Sequence, residues 1–109
     1  MSYDVYLDID AGGPEPVTLS ILEANMTWNL RPMFAEVNNG DGPQEWDGKL
    51  ARDVAEILVK TLDAFNREPA KFRAMNPANG WGDFDGARQF AMTVLDACHA
   101  APNATVRVC

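Results

Sequence analysis

The densest chemistry in the chain is the run Asn76-Pro77-Ala78-Asn79-Gly80-Trp81-Gly82-Asp83-Phe84-Asp85-Gly86. The amides of Asn76 and Asn79, the backbone N–H groups of Gly80 and Gly82, and the face of Trp81 are groups that can grip a small ligand or a peptide. Asp83 and Asp85 add two carboxylates at the start of a helix. The same residues also have a purely structural reading. Asp83 can cap the helix by accepting its orphan N–H groups. Asp85 suits the positive end of the helix dipole. Trp81 can plug the core, and the glycines can supply positive φ. Phosphate binding at this helix start is disfavoured, because the two carboxylates repel an anion. An EF-hand fails as well. With Asp83, Asp85 and Gly86 at loop positions 3, 5 and 6, Trp81 falls at 1 and Met92 at 12, where carboxylates are required. A cation site of another type, built from Asp83, Asp85 and carbonyl oxygens, stays open.

A second set of acids lies near the N-terminus. Period-two spacing places Asp4, Tyr6, Asp8 and Asp10 on one side of a strand. Alternate side chains there stand about 7 Å apart. Two carboxylates at that spacing can bridge a metal or flank a bond as acid and base, but no histidine or third ligand is near in sequence. The competing readings are a solvated face or a guard against edge pairing. Tyr6 favours a partner-binding surface, since tyrosine is enriched at interfaces.

Cys98 and His99 are neighbours on a helix and point about 100° apart, so they do not face each other. His99 lies in a last helical turn, where a cation suits the dipole. With a single histidine, no nucleophile–histidine–acid set is evident, and no G-x-S-x-G, P-loop or G-x-G-x-x-G pattern occurs. An enzyme is therefore the least supported class. No catalytic residue, no resident metal and no cofactor are expected.

Sixteen acids against nine bases give a net charge of −7. The acidity is concentrated: residues 1–48 hold nine acids and one base, Arg31, whereas residues 49–109 hold seven acids and eight bases. This balance argues against general nucleic-acid binding, which needs a basic footprint. It also argues against attraction to anionic membranes. A basic protein partner fits it, as does simple solubility. Two cysteines, Cys98 and Cys109, make no disulfide framework or metal pair. A bridge between them is left open, and a reducing cytoplasm is expected. No secretory signal and no run of the roughly 20 apolar residues needed to span a bilayer is visible. The chain's 109 residues make one domain, 1–109, with a core of modest size.

These groups must be held by a few elements. Residues 3–9 alternate, with Tyr3, Val5, Leu7 and Ile9 on the apolar side, and predict a strand. Gly12-Gly13-Pro14 predicts a turn, and Val17, Leu19 and Ile21 predict a second alternating strand. Asn29 is a candidate cap for a short helix that carries Pro32 in its first turn and faces Met33, Phe34 and Val37 inward. Residues 38–48 predict a loop. A helix over 49–66, capped by Asp47, follows from Leu50, Val54, Ile57, Leu58, Thr61, Leu62 and Phe65. Glu68-Pro69 opens a short helix burying Phe72 and Met75. Asp83 caps a last helix over 84–100, and residues 105–109 form a third strand with Val106 and Val108 on one face. The order β-β-α-α-α-α-β predicts an α+β fold: a small antiparallel three-stranded sheet with helices on one face and the last strand beside the first. Trp28 and Trp46 fall in or beside loops, where exposure would mark an interaction patch and burial a core.

The segments Tyr3-Asp4-Val5-Tyr6-Leu7, Arg73-Ala74-Met75-Asn76-Pro77-Ala78-Asn79-Gly80-Trp81-Gly82-Asp83 and Pro102-Asn103-Ala104-Thr105-Val106 resemble a family of small uncharacterised proteins of actinobacterial phages and their hosts. The resemblance covers the whole chain, and the Asn-Pro-x-Asn-Gly-Trp-Gly-Asp run is its most specific element. It implies a phage or mobile-element setting and the host cytoplasm. It carries over no activity and no catalytic residue.

Two functional expectations follow. The first is an interaction or modulator protein that binds a protein partner through the acidic face (Asp4, Tyr6, Asp8, Asp10), the 38–48 loop or both, with self-association a further option. The second is a small-ligand or metal-binding domain that uses Asn76, Asn79, Gly80, Trp81, Asp83 and Asp85.

Overall fold

The computed structural model describes residues 2–10 and 18–109. Strand β1 (Ser2–Asp10) follows the period-two pattern: Tyr3, Val5 and Leu7 are buried on one side, while Asp4, Tyr6 and Asp8 are half-buried on the other. β2 (Thr18–Thr27) and β3 (Thr105–Val108) both run antiparallel to it, in the order β2-β1-β3. The first and last strands are therefore neighbours, as expected. The Gly12-Gly13-Pro14 turn and Val17 lie outside the described residues.

β2 departs from its predicted phase. Continued alternation from Leu19 puts Ile21 on the apolar face, yet Ile21 is 47% exposed. Leu7 stands opposite Leu22 and Asp8 opposite Ser20, so Ile21 is an extra residue in β2. Such a bulge shifts the inward set by one position. Beyond it Leu22, Ala24 and Met26 pair with Leu7, Val5 and Tyr3 and pack into the core.

β2 also runs further than expected, and Thr27 rather than Asn29 caps the next element. Thr27 Oγ1 accepts from the Asn29 backbone N–H (3.4 Å) and from its side-chain amide (3.0 Å). A 3₁₀ turn (Trp28–Leu30) then leads into helix α1 (Arg31–Val37), which carries Pro32 in its first turn and buries Met33 and Phe34. The 38–48 region is not all loop. A second 3₁₀ turn (Pro43–Trp46) buries Trp46.

Helix α2 (Ala51–Arg67) starts two residues later than predicted, and its N-cap residue is Leu50, with no side-chain cap bond. Asp47 is engaged by the sheet instead, where its Oδ1 accepts the Val108 N–H at 2.9 Å. The Gly48 N–H and Lys49 C=O bond Val106, both at 2.8 Å. The 47–50 segment thus covers the outer edge of β3 before the helix can begin.

Helix α3 (Pro69–Arg73) opens at Pro69 and buries Phe72 but ends before Met75, which is half-buried. Helix α4 (Phe84–Ala100) follows as predicted, with Asp83 Oδ1 accepting the Gly86 N–H at 2.7 Å. The core contains a cluster of aromatic rings among its aliphatic side chains. Phe65 stands edge-on to Phe72 (4.8 Å between ring centroids), Phe84 (5.4 Å) and Phe34 (5.6 Å). Edge-to-face pairs of this kind add about 0.5–1.5 kcal/mol each beyond area burial. Thr61, the one buried polar side chain among the described residues, donates to the Ile57 carbonyl and accepts from Asn38, which ties the end of α1 to α2. No helix among the described residues is long and apolar enough to cross a membrane.

Candidate functional site

The 76–86 run spans the connection from α3 to α4 and the first residues of α4, and its polar side chains hold the backbone in place. Asn76 Oδ1 accepts the Phe84 N–H (2.8 Å), and Asn79 Oδ1 accepts the Trp81 N–H (2.9 Å). Asp83 caps α4. Asp85 pairs with Arg73 at 3.1 Å, and that guanidinium also lies over the Phe84 ring, 5.0 Å from its centroid. Each of the four polar side chains expected to grip a ligand has an internal partner. Asp83 and Asp85 serve separate partners, and among the described residues no three His, Cys, Asp or Glu side chains converge as a metal site requires.

The loop is also docked against the end of β2. Gly82, at φ +93°, lies so close to that corner that a Cβ would come within 2.6 Å of Thr27 Cγ2 and 3.1 Å of Leu30 Cδ1. A relay of side-chain amides runs alongside. Asn29 donates to Thr27 Oγ1 (3.0 Å), Asn79 donates to Asn29 Oδ1 (3.5 Å), and the Trp81 N–H donates to Asn79. The relay ends on the backbone N–H of Trp81, a residue that is 65% exposed. The core-plug reading of Trp81 is therefore set aside. Trp28 is 41% exposed at the same corner, its ring 5.9 Å from Tyr3. Trp28, Asn29, Arg31 and Pro32 line an open depression of about 430 Å³. Asn29 belongs to both features, since it lines the depression and accepts from Asn79.

The acidic strand face is a mixed network. Asp4 accepts from the Asn25 amide (2.7 Å), and Asp8 accepts from Ser20 (2.6 Å) and from Arg107 Nε (2.7 Å). The Arg107 guanidinium also lies 4.1 Å from the centroid of the Tyr6 ring. Hydrogen bonding from Arg107 and Ser20 holds the Asp8 carboxyl below its ordinary pKa, against a smaller upward push from burial. Tyr6 is shifted upward, first by desolvation and then by the charges of Glu23 and Asp4. Asp10 is exposed, opposite Thr18. The row of acids is thus interrupted by a cation from β3. That cation was legible in the sequence: Val106 and Val108 facing inward place Arg107 outward, beside β1. Thr27 and Asn29 as anchors of the 76–86 loop carried no such signal, because the contact spans about fifty residues of chain.

Cys98 is buried and Cys109 exposed, and both thiols are free. Burial pushes the Cys98 thiol up to about 11, the opposite of what an attacking thiolate needs. His99 is exposed on the neighbouring position of α4, as the helical spacing predicts.

No protein-family model, curated protein or solved structure matches this chain.

Proposed function

We propose that the chain is an interaction protein whose partner docks at the corner formed by Trp28, the adjoining depression and Trp81. The observation that carries this reading is the contrast within the 76–86 loop. Its polar side chains are engaged with the protein itself, and of its two aromatics Phe84 is buried while Trp81 is held outward. A tryptophan kept in water on a loop fixed by Gly82, Asn79 and Asp83 is an anchor whose position is set before binding. Tryptophan is also the residue most enriched among energetic hot spots of interfaces. The small-ligand reading draws on the same loop but lacks unengaged polar groups to fix a ligand. The strand face keeps its excess of acids, yet Asp4 and Asp8 are already bonded and Arg107 stands among them.

A photo-crosslinking residue at exposed position 78, introduced in the natural cellular background, tests the reading. The expected product is one adduct of defined protein mass, absent when the crosslinker sits at position 10. Crosslinking at position 10 alone would return the partner surface to the strand face and contradict the proposal.

A further inference from the structure

The two edges of the sheet differ. Asp4 exchanges both backbone hydrogen bonds with Cys109 (3.1 and 2.9 Å). Backbone groups alternate sides along a strand, so Asp4, Tyr6 and Asp8 address β3 while Tyr3, Val5 and Leu7 address β2. On the outer edge of β3 three of the groups that point away from β1 are matched: the Val106 C=O and N–H bond Gly48 and Lys49, and the Val108 N–H bonds Asp47. On β2, Leu22, Ala24 and Met26 oppose the residues that address them. The N–H and C=O of Glu23 and Asn25 therefore point outward, and among the described residues no group bonds them. Both residues are exposed. From Leu19 to Thr27 the strand carries one charge, Glu23, and neither lysine nor proline, the usual guards of an open edge.

We infer that this edge pairs with a second copy of the chain, β2 against β2 in antiparallel register about a twofold axis at Ala24, giving one continuous six-stranded sheet. The sequence of the edge is complementary to itself in that register. Glu23 faces Asn25 of the second copy, so the two glutamates stand on a diagonal rather than directly opposite, and the outward groups of both residues are satisfied in two hydrogen-bonded pairs. On the helix side Leu22 faces Met26, and Ala24 faces its own copy. The bulge residue Ile21, 47% exposed in the single chain, falls opposite Thr27 and is covered. A shift by one step of the twofold axis toward Glu23 would set the two glutamates directly opposite each other, which disfavours it. This inference is independent of the Trp81 reading, because it uses the backbone of β2.

Sedimentation velocity over micromolar to sub-millimolar concentration tests it, together with a register-specific crosslink. The expected result is a concentration-dependent species of twice the 12.0 kDa chain mass. Glu23→Pro removes an outward N–H without touching the β1 ladder, so it should leave the circular dichroism spectrum intact and abolish the dimer. Should Glu23→Pro fail to fold, the crosslink decides alone. In a Cys109→Ser background, Ala24→Cys should oxidise to a symmetric disulfide, since facing residues at a non-hydrogen-bonded site lie about 4.5 Å apart at Cα. Glu23→Lys should leave the dimer in place, because its partner is Asn25. A monomer at every concentration, a dimer unaffected by Glu23→Pro, or an Ala24→Cys chain that stays reduced under oxidation would overturn the inference. So would a dimer lost with Glu23→Lys, which points instead to a basic strand as the occupant.

Discussion

Gly82 and Thr27 are packed so closely that a Cβ on the glycine would lie 2.6 Å from the threonine Cγ2. This contact locks the 76–86 loop to the end of β2 and sets where Trp81 stands. Gly82→Ala combines that clash with a left-handed backbone (φ +93°) and should cost about 1–3 kcal/mol. Gly80→Ala carries only the strain of φ +74°, because open space surrounds its Cβ, and should cost about 1 kcal/mol. Urea unfolding of the two variants measures the difference, and a larger loss at Gly80 would refute the docking of the loop.

The three tryptophans should separate cleanly in stability. Trp46 is 2% exposed, stacked on Phe90 and edge-on to Phe34, so Trp46→Ala should lose about 3–5 kcal/mol. Trp81→Ala should change stability by about 0.5 kcal/mol or less. Acrylamide quenching should report Trp81 as the most accessible indole and Trp46 as the least. Comparable losses for Trp46→Ala and Trp81→Ala would mean that Trp81 is part of the packing.

The link between Asp8 and Arg107 predicts a pH dependence. The folded Asp8 carboxyl lies below its unfolded value. Its contribution is therefore present above the unfolded pKa of about 4 and is lost as pH falls through the folded value. The Arg107 side chain is nearly half exposed, so solvent screens the pair and a double-mutant cycle of Asp8→Asn with Arg107→Ala should give a coupling of only about 0.2–1 kcal/mol. NMR titration of the carboxyl carbon should show the Asp8 pKa rising in Arg107→Ala. An unchanged pKa would exclude the ion pair in solution.

The two thiols should differ in reactivity. Near pH 8 a disulfide reagent should label one thiol per native chain, Cys109, and both in denaturant. Raising the Cys98 pKa to about 11 makes the folded chain hold its proton longer than the unfolded one. Its contribution is present in full below the unfolded value of about 8.5–9 and is lost as pH rises toward the folded value. Rapid labelling of two native thiols would show that α4 opens readily.

Elements with sustained periodicity were legible in the sequence. The stripe Phe84, Ala87, Ala91, Val94, Leu95 and Cys98 predicts α4 at its observed bounds, with Leu95 half-buried at the margin of the buried face, and Pro69 opens α3 as expected. Where long-range pairing competed with local signals, the local reading failed. Asp47 has the chemistry of a helix cap, but the edge of β3 needed an acceptor and the helix starts after Leu50. Ile21 has the spacing of a core residue, but one added residue in β2 moves it outward. The site residues were partly legible. The loop and its cap could be read from Asn, Gly and Asp chemistry, whereas the exposure of Trp81 depends on Gly82 meeting Thr27, a contact that no local pattern encodes.

The most direct test of the central claim is native mass spectrometry of the chain purified gently from its natural cellular background. Wild type, Trp81→Ala and an Asp4→Lys/Asp10→Lys variant should be compared. The account predicts a stoichiometric protein adduct on wild type and on the aspartate variant, lost with Trp81→Ala. The same adduct on Trp81→Ala would contradict it, as would a small-molecule adduct that disappears with Asp85→Asn.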